Sequence, residues 1–320
     1  MRSRLVMVLA AALAAVSVTL VVSRLTTAAS ARRPVAVATL TPSLASYLGV
    51  YESTALQSYS QVLEFGRAAG REPNIAGYFS GWPEPFKIAF ARSARAHGAA
   101  VLVQLDPTDA SIQGIAAGAY DDYLRSFADA VARFGYPVVI GFGHEMNATW
   151  YSWGFGHVPP ATFVAAWRHI VAVFRGQGAD NVTWLWTIQA NELGTGPMRS
   201  WWPGPQYVTW VGIDGYYFRP GDTFARVFAG TIAQVRSFTT KPILLSETAV
   251  GPEAGQPAKI HDLFRGMADY QTLGLVWFDI SQHDGIYHQD WRIEDSRAAQ
   301  YAVEQAVREY IRAADREYGE

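Results

Sequence analysis

Residues 119–143 read AYDDYLRSFADAVARFGYPVVIGFG, and the hydrophobic pattern changes halfway along. In the first part Tyr120, Leu124, Phe127, Val131 and Phe134 fall at steps of four, three, four and three, the spacing of one helix face, with Gly135 placed to end the helix. In the second part PVVIGFG (137–143) is almost continuously apolar, as a parallel strand covered on both faces is. A helix feeding directly into a doubly buried strand is half of a repeating strand–helix fold.

The same alternation recurs on either side. Apolar runs stand at Tyr47–Tyr51, Ile75–Phe79, Ala100–Leu105, Val182–Ile188, Thr209–Tyr217, Lys241–Glu247 and Gly274–Asp279. Helical spacing follows in PATFVAAWRHIVAVFRGQG (160–178), through Phe163, Trp167, Ile170 and Phe174, and is expected at 84–97, 224–236, 259–270 and 296–312. Eight strand-then-helix units in about 270 residues predict an α/β fold, a single (β/α)8 TIM barrel. An open doubly wound sheet is the alternative, because strand order is not written in the sequence.

The chain of 320 residues opens with Arg2 and Arg4 ahead of an uncharged apolar run from Leu5 to Val22, then small residues ending Ala29-Ser30-Ala31. That is the anatomy of a secretory signal peptide, and the run also reaches the length of a membrane anchor. Residues 1–31 are therefore read as signal peptide or signal anchor, 32–45 as a short linker and 46–320 as the barrel. The expected location is secreted, or membrane-anchored with the barrel extracellular.

Lys+Arg 26 against Asp+Glu 28 leaves a net charge of −2, so nothing here neutralises a phosphate backbone and nucleic acid is not an expected partner. There is no cysteine, which removes disulfides, thiolate metal sites and a thiol nucleophile. The 11 Trp, 16 Tyr and 16 Phe exceed what a core of this size needs, which points to aromatic side chains facing a ligand.

Active sites of barrel enzymes lie at the C-terminal ends of the strands. Glu145 follows the fourth apolar run and Glu247 closes the seventh. One glutamate at a strand end is ordinarily solvated or salt-bridged. Two of them, each among aromatics and glycines, form the equipment of glycoside hydrolysis, in which one carboxyl group protonates the leaving oxygen while the other attacks carbon or activates water. Trp150 lies in the loop after Glu145, Tyr216 lies at the end of the sixth run and Trp277 lies in the eighth; flat rings of this kind stack on the C–H faces of sugars. Asp106, His144, Asn147 and Asp214 are the polar groups at matching strand ends. A zinc helix would need H-E-x-x-H, but position 148 is Ala and the motif leaves a strand, so no metal is expected. Phosphate-binding, dinucleotide and nucleophile-elbow motifs are missing too, so no cofactor is expected.

HEMNATWYSWG (144–154) resembles the signature of glycoside hydrolase family 26, a group of retaining barrels best known for endo-β-1,4-mannanases. WVGIDGYYF, KPILLSET and DWRIEDSRAAQYAV are similar to its sixth strand, nucleophile strand and closing helix, in that order. The resemblance implies Glu145 as acid/base and Glu247 as nucleophile, with His144 at the cleavage subsite, Tyr216 orienting Glu247, and Trp150 and Trp277 shaping the sugar floor. It also implies a polysaccharide substrate, and a monomer is expected. The chain departs from the pattern at Gly141, where the family carries arginine, and at Ala148, Ser152 and Asp106. Those departures leave lichenase and β-1,3-xylanase as alternatives to mannanase, along with a non-catalytic carbohydrate-binding barrel.

Overall fold

A computed structural model describes Leu40 and residues 46–190, 194–282 and 289–318, the last six without their side chains. The expected signal or anchor segment and nearly all of the linker lie outside the described residues. Among those described, no helix is long and apolar enough to cross a membrane.

Eight parallel strands close into a barrel in sequence order, β1 to β8, and the open-sheet alternative falls with that closure. In chain order the elements are β1 (Tyr47–Glu52), α1 (Ser60–Ala68), β2 (Ile75–Gly81), α2 (Ile88–Ala96), β3 (Ala100–Asp106), α3 (Ile112–Ala116), α4 (Asp121–Phe134), β4 (Val138–Phe142), α5 (Pro160–Gly176) and β5 (Val182–Gln189). The second half adds β6 (Trp210–Asp214), α6 (Gly230–Arg236), β7 (Ile243–Thr248), α7 (Gln256–Asp269), β8 (Gly274–Asp279) and α8 (Arg297–Tyr318).

The helix read from residues 119–134 is α4, which buries Leu124, Phe127, Val131 and Phe134 and ends on Gly135 at φ +64°. Only glycine enters that left-handed region without steric cost. Likewise α5 buries Phe163, Trp167, Ile170 and Phe174. At about 2 kcal/mol for each large apolar side chain taken from water, that face contributes on the order of 8 kcal/mol as an upper bound. Packing of this size, rather than propensity, holds a helix with as many β-branched and aromatic residues as α5.

Three expectations need correction. The helix expected at 84–97 starts only at Ile88, since Pro83 and Pro85 lack backbone donors and Glu84 N–H closes a turn onto Gly81 O at 2.8 Å. The segment 224–236 begins as a π-helical turn, Ala225–Ala229, before α6. No α-helix is described after β5, where a 3-10 turn, Met198–Trp201, leads to β6; Gly194, Gly196, Pro197, Pro203 and Pro205 punctuate that connection. Helix α1 stands where the count of eight strand-then-helix units places a helix after the first run, although no range is predicted for it; it buries Val62 and Phe65.

Side chains alternate between two cores. Leu102, Val139, Leu185, Trp210 and Leu244 fill the barrel interior, whereas Val101, Val103, Ile140, Trp186 and Leu245 pack under the helices. Above the apolar interior layer the barrel narrows its choice of residue. A Cβ on Gly77 would lie 2.4 Å from the Tyr51 ring, and one on Gly141 would lie 1.8 Å from Gln104 Oε1. Two large interior side chains fit because the facing strand offers none.

Candidate active site

At the C-terminal mouth of the barrel a cavity of about 560 Å³ is lined by Phe79, Asp106, Thr108, His144, Glu145, Trp150, Tyr151, Trp153, Tyr216, Glu247, Phe278 and Gln282. Six of the nine residues expected from sequence meet there: Glu145, Glu247, His144, Asp106, Trp150 and Tyr216.

Glu145 reaches the mouth through local backbone shape. Gly143 (φ +52°) and Glu145 (φ +54°) both take left-handed conformations, and Glu145 N–H donates to Thr187 O of β5 at 3.0 Å. For a residue with a Cβ this conformation costs roughly 1–2 kcal/mol. The surrounding clamp holds it: Asn147 Nδ2 donates to Gln189 O at 2.9 Å and Asn147 Oδ1 accepts from Gln189 N–H at 2.9 Å. Trp150 Nε1–H donates to Glu145 Oε2 at 2.6 Å.

Glu247 arrives by a different route. Leu244 faces the barrel interior and Leu245 the helices, so strict alternation would turn Ser246 inward and Glu247 outward. The register runs Gly212↔Leu244 and then Asp214↔Glu247, three steps on β7 against two on β6, and shifts likewise against β8. This β-bulge re-aims Glu247 into the mouth. Tyr216 donates its hydroxyl to Glu247 Oε1, while Oε2 has no hydrogen-bond partner among the described residues. Burial, and then repulsion from Glu145, push the Glu247 carboxyl up to about 7, against the opposing pull of His144 and the Tyr216 hydrogen bond.

His144 sits between acceptors. Its Nδ1 lies 2.8 Å from Asp106 Oδ1 and its Nε2 3.1 Å from Tyr151 Oη. Tyr151 stacks on Trp153 at 4.4 Å, and Trp153 Nε1–H donates back to His144 O at 2.9 Å. Burial pulls the imidazolium down, but Asp106, by charge and hydrogen bond, and then Glu145 and Glu247 outweigh it and push it up to about 10.

Asn147, Asp214 and Trp277 do not line the cavity, and each has 0 % exposure. Asn147 is consumed by its clamp on β5. Asp214 lies behind Glu247, accepts from Ser246 Oγ at 2.6 Å, and is pushed well above the usual carboxylate range by burial and then by Glu247 and Glu145. Trp277 faces the helices and donates Nε1–H to Trp291 O at 2.9 Å. Its neighbour Phe278 takes the mouth, paired in register with the inward Tyr51. The expected sugar contacts at these three positions are corrected accordingly. Phe79, Thr108, Phe278 and Gln282 are lining residues that sequence reasoning missed, while Tyr151 and Trp153 were legible only as further aromatics of the loop after Glu145; counting parity along β2 and β8 would have found the two phenylalanines.

The site combines two carboxyl groups on one cavity with a wall of aromatic rings; Tyr216 donates a hydrogen bond to one carboxyl group and Trp150 to the other. Among the described lining residues there is no lysine or arginine.

Known proteins share this arrangement of the chain. The model of Glycosyl hydrolase family 26 matches residues 110–296. Endoglucanase H of Acetivibrio thermocellus is 27% identical over 267 residues, covering 78% of this chain and 29% of that protein. Beta-1,3-xylanase TXYA of a Vibrio species is 28% identical over 141 residues, 43% of this chain and 29% of that protein. The chain thus spans about three tenths of the length of these curated relatives. In fold it is similar to the catalytic domain of a Bacillus sp. JAMB-750 endo-beta-1,4-mannanase, with TM-score 0.63 and 15% identity over 82% of this chain and 86% of that one.

Proposed function

Because the chain belongs to glycosyl hydrolase family 26, we propose that it is a retaining glycosidase acting on an uncharged β-linked polysaccharide, with a mannan or a β-glucan as the substrate. The observation that carries this reading is the convergence of Glu145 and Glu247 on one aromatic-walled cavity, each held by a ring donor. Two carboxyl groups lining one cavity are the equipment of glycoside hydrolysis, and the resemblance of the HEMN and LSET segments to a retaining family favours double displacement. Glu247 Oε2 attacks the anomeric carbon as the glycosidic bond breaks, and protonated Glu145 gives its proton to the departing oxygen. A covalent glycosyl-enzyme forms. Glu145, now ionised, takes a proton from water, the hydroxyl bonds to the anomeric carbon, and Glu247 leaves with its original charge. Burial and the neighbouring Glu145 disfavour charge on Glu247. Attack while Glu145 is protonated keeps a single charge on the pair, and forming the ester removes that charge from the buried Glu247 as Glu145 takes it up.

The uncharged substrate follows from the lining. Asp106, Glu145 and Glu247 present carboxyl groups and no lysine or arginine is among the described lining residues, so a uronic acid beside the cleaved bond meets like charge. Phe79, Tyr151, Trp153 and Phe278 offer apolar faces for unsubstituted pyranose rings. The reading also keeps residues 1–31 as signal or anchor, which puts the barrel outside the cell, where polymers are met; cell fractionation of the full chain tests that location.

Purified protein is incubated with mannan, glucomannan, lichenan and β-1,3-xylan, new reducing ends are measured, and the first-formed anomer is read by proton NMR. The expected result is turnover of at least one polymer with the β-anomer first, lost in Glu247→Ala. The α-anomer appearing first, or equal turnover in Glu247→Ala, refutes the mechanism.

A further inference from the structure

The cavity holds more carboxyl groups than charge balance allows. Asp106, Glu145 and Glu247 line it, and Asp214 lies fully buried behind. At position 141, where the family pattern has arginine, glycine contributes no side chain, and Gln104 fills the space from β3. Among the described lining residues, His144 is the single side chain able to carry positive charge. It is almost wholly buried, at 4 % exposure, so its protonation answers to its neighbours rather than to solvent.

Those neighbours are specific. A carboxylate only accepts, so Nδ1, 2.8 Å from Asp106 Oδ1, carries hydrogen. Nε2 faces Tyr151 Oη at 3.1 Å, and a phenol oxygen accepts from an imidazolium N–H as readily as its O–H donates to a neutral ring. The hydrogen-bond geometry therefore admits both forms, and the surrounding charge selects one. From β3 comes Asp106, from the same loop Glu145 and Tyr151, from β7 Glu247 and from β6 Asp214; none is cationic, and those carboxyl groups that are ionised favour the charged ring.

We propose that Asp106 is a positioning residue that holds His144 as an imidazolium, and that this imidazolium supplies, beside Glu145 and Glu247, the positive charge that no side chain at position 141 provides. The pair takes over an arginine's electrostatic task with a group anchored from a neighbouring strand. Its effect falls on Glu247, which must be ionised to attack and whose ionised form the cation stabilises. The ion pair itself belongs to the fold; its part in turnover rests on the glycosidase reading above.

Long-range nitrogen–proton NMR of the full chain, with His144 assigned by loss of its signals in His144→Asn, reads both ring nitrogens from pH 6 to 10.5. The expected result is a ring protonated on both nitrogens through pH 8. In Asp106→Asn, which keeps an acceptor oxygen but not the charge, the ring titrates about 2 pH units lower. In His144→Asn the acid limb of kcat/KM moves to higher pH, because Glu247 has lost its cationic neighbour; a purely structural role would leave that limb in place. A neutral His144 ring at pH 7.5 in the parent overturns the proposal, whether or not the variant folds. So does an Asp106→Asn ring that titrates with the parent's. An imidazolium at pH 8 in a protein that cuts none of the four polymers supports the ion pair and refutes the glycosidase reading alone.

Discussion

One methyl group added at position 141 probes the crowded layer of the barrel interior. Gly141 and Gln104 face each other in the β3–β4 register, and an alanine Cβ would stand 1.8 Å from Gln104 Oε1 and 2.9 Å from its Cδ. The glutamine is fully buried and its Nε2 donates to Thr187 Oγ1 at 3.2 Å, so moving its amide away from a new Cβ pulls it off that bond. Gly141→Ala therefore breaks that hydrogen bond, a loss of about 1 kcal/mol, and overpacks the layer at a further cost of about 1–3 kcal/mol. For a domain of this size the sum lowers Tm by roughly 5–10 °C in a thermal melt followed by circular dichroism. Gln104→Ala vacates the contested volume, so the double variant should be no less stable than Gln104→Ala alone, a coupling of about 1 kcal/mol or more. A Gly141→Ala melt within about 1 °C of the parent, or additive effects in the double variant, would show that Gln104 does not occupy this space. The family arginine is thus not restored by substitution at 141 alone.

Two further outcomes follow from burial. The carboxyl oxygens of Glu52, Asp279 and Glu294 lie within 4.8 Å of one another. Burial, and then Glu294, push Glu52 up to about 8, and burial, the Glu294 hydrogen bond and Glu52 push Asp279 up to about 11. Both folded values lie above the unfolded ones, so the protonated cluster's contribution is complete in acid and is lost as pH rises toward and through 8. Stability of the parent, read from thermal melts, should fall by on the order of 2 kcal/mol between pH 6 and 9, and less steeply in Asp279→Asn, which still accepts from Ile293 N–H; parallel curves contradict this. At the eighth strand, Trp277→Phe should cost about 1–3 kcal/mol and leave KM unchanged, because it removes a buried ring edge and the Nε1–H donor to Trp291 O in the outer core. Phe278→Ala should raise KM severalfold with little change in Tm, and the reverse pattern of melts and KM values contradicts the assigned facing.

Much of the barrel was legible because its signals are local. Continuous apolar runs cannot leave either face in water, and helical spacing between them covers the outer face, so the order of runs alone specified parallel strands under helices. Elements were misread where backbone chemistry overrode the pattern, at Pro83 and Pro85 before α2 and in the glycines and prolines after β5. Glu145 and Glu247 were legible as carboxyl groups at strand ends, where an unpaired charge is costly unless a cleft receives it.

Facing was another matter. Trp277 and Phe278 are adjacent aromatics, and which one meets the cavity depends on the register of β8 against β1. Glu247 lies on the outward side of a regular strand and is turned inward by a bulge that exists only in pairing with β6 and β8. Asp106 and His144, 38 positions apart, form their ion pair because β3 and β4 are neighbours in a closed barrel. The chain by itself thus determined what kinds of elements form and which strand ends carry chemistry. Strand pairing, a non-local property set when the barrel closes, decided which side chains at those ends share one cavity.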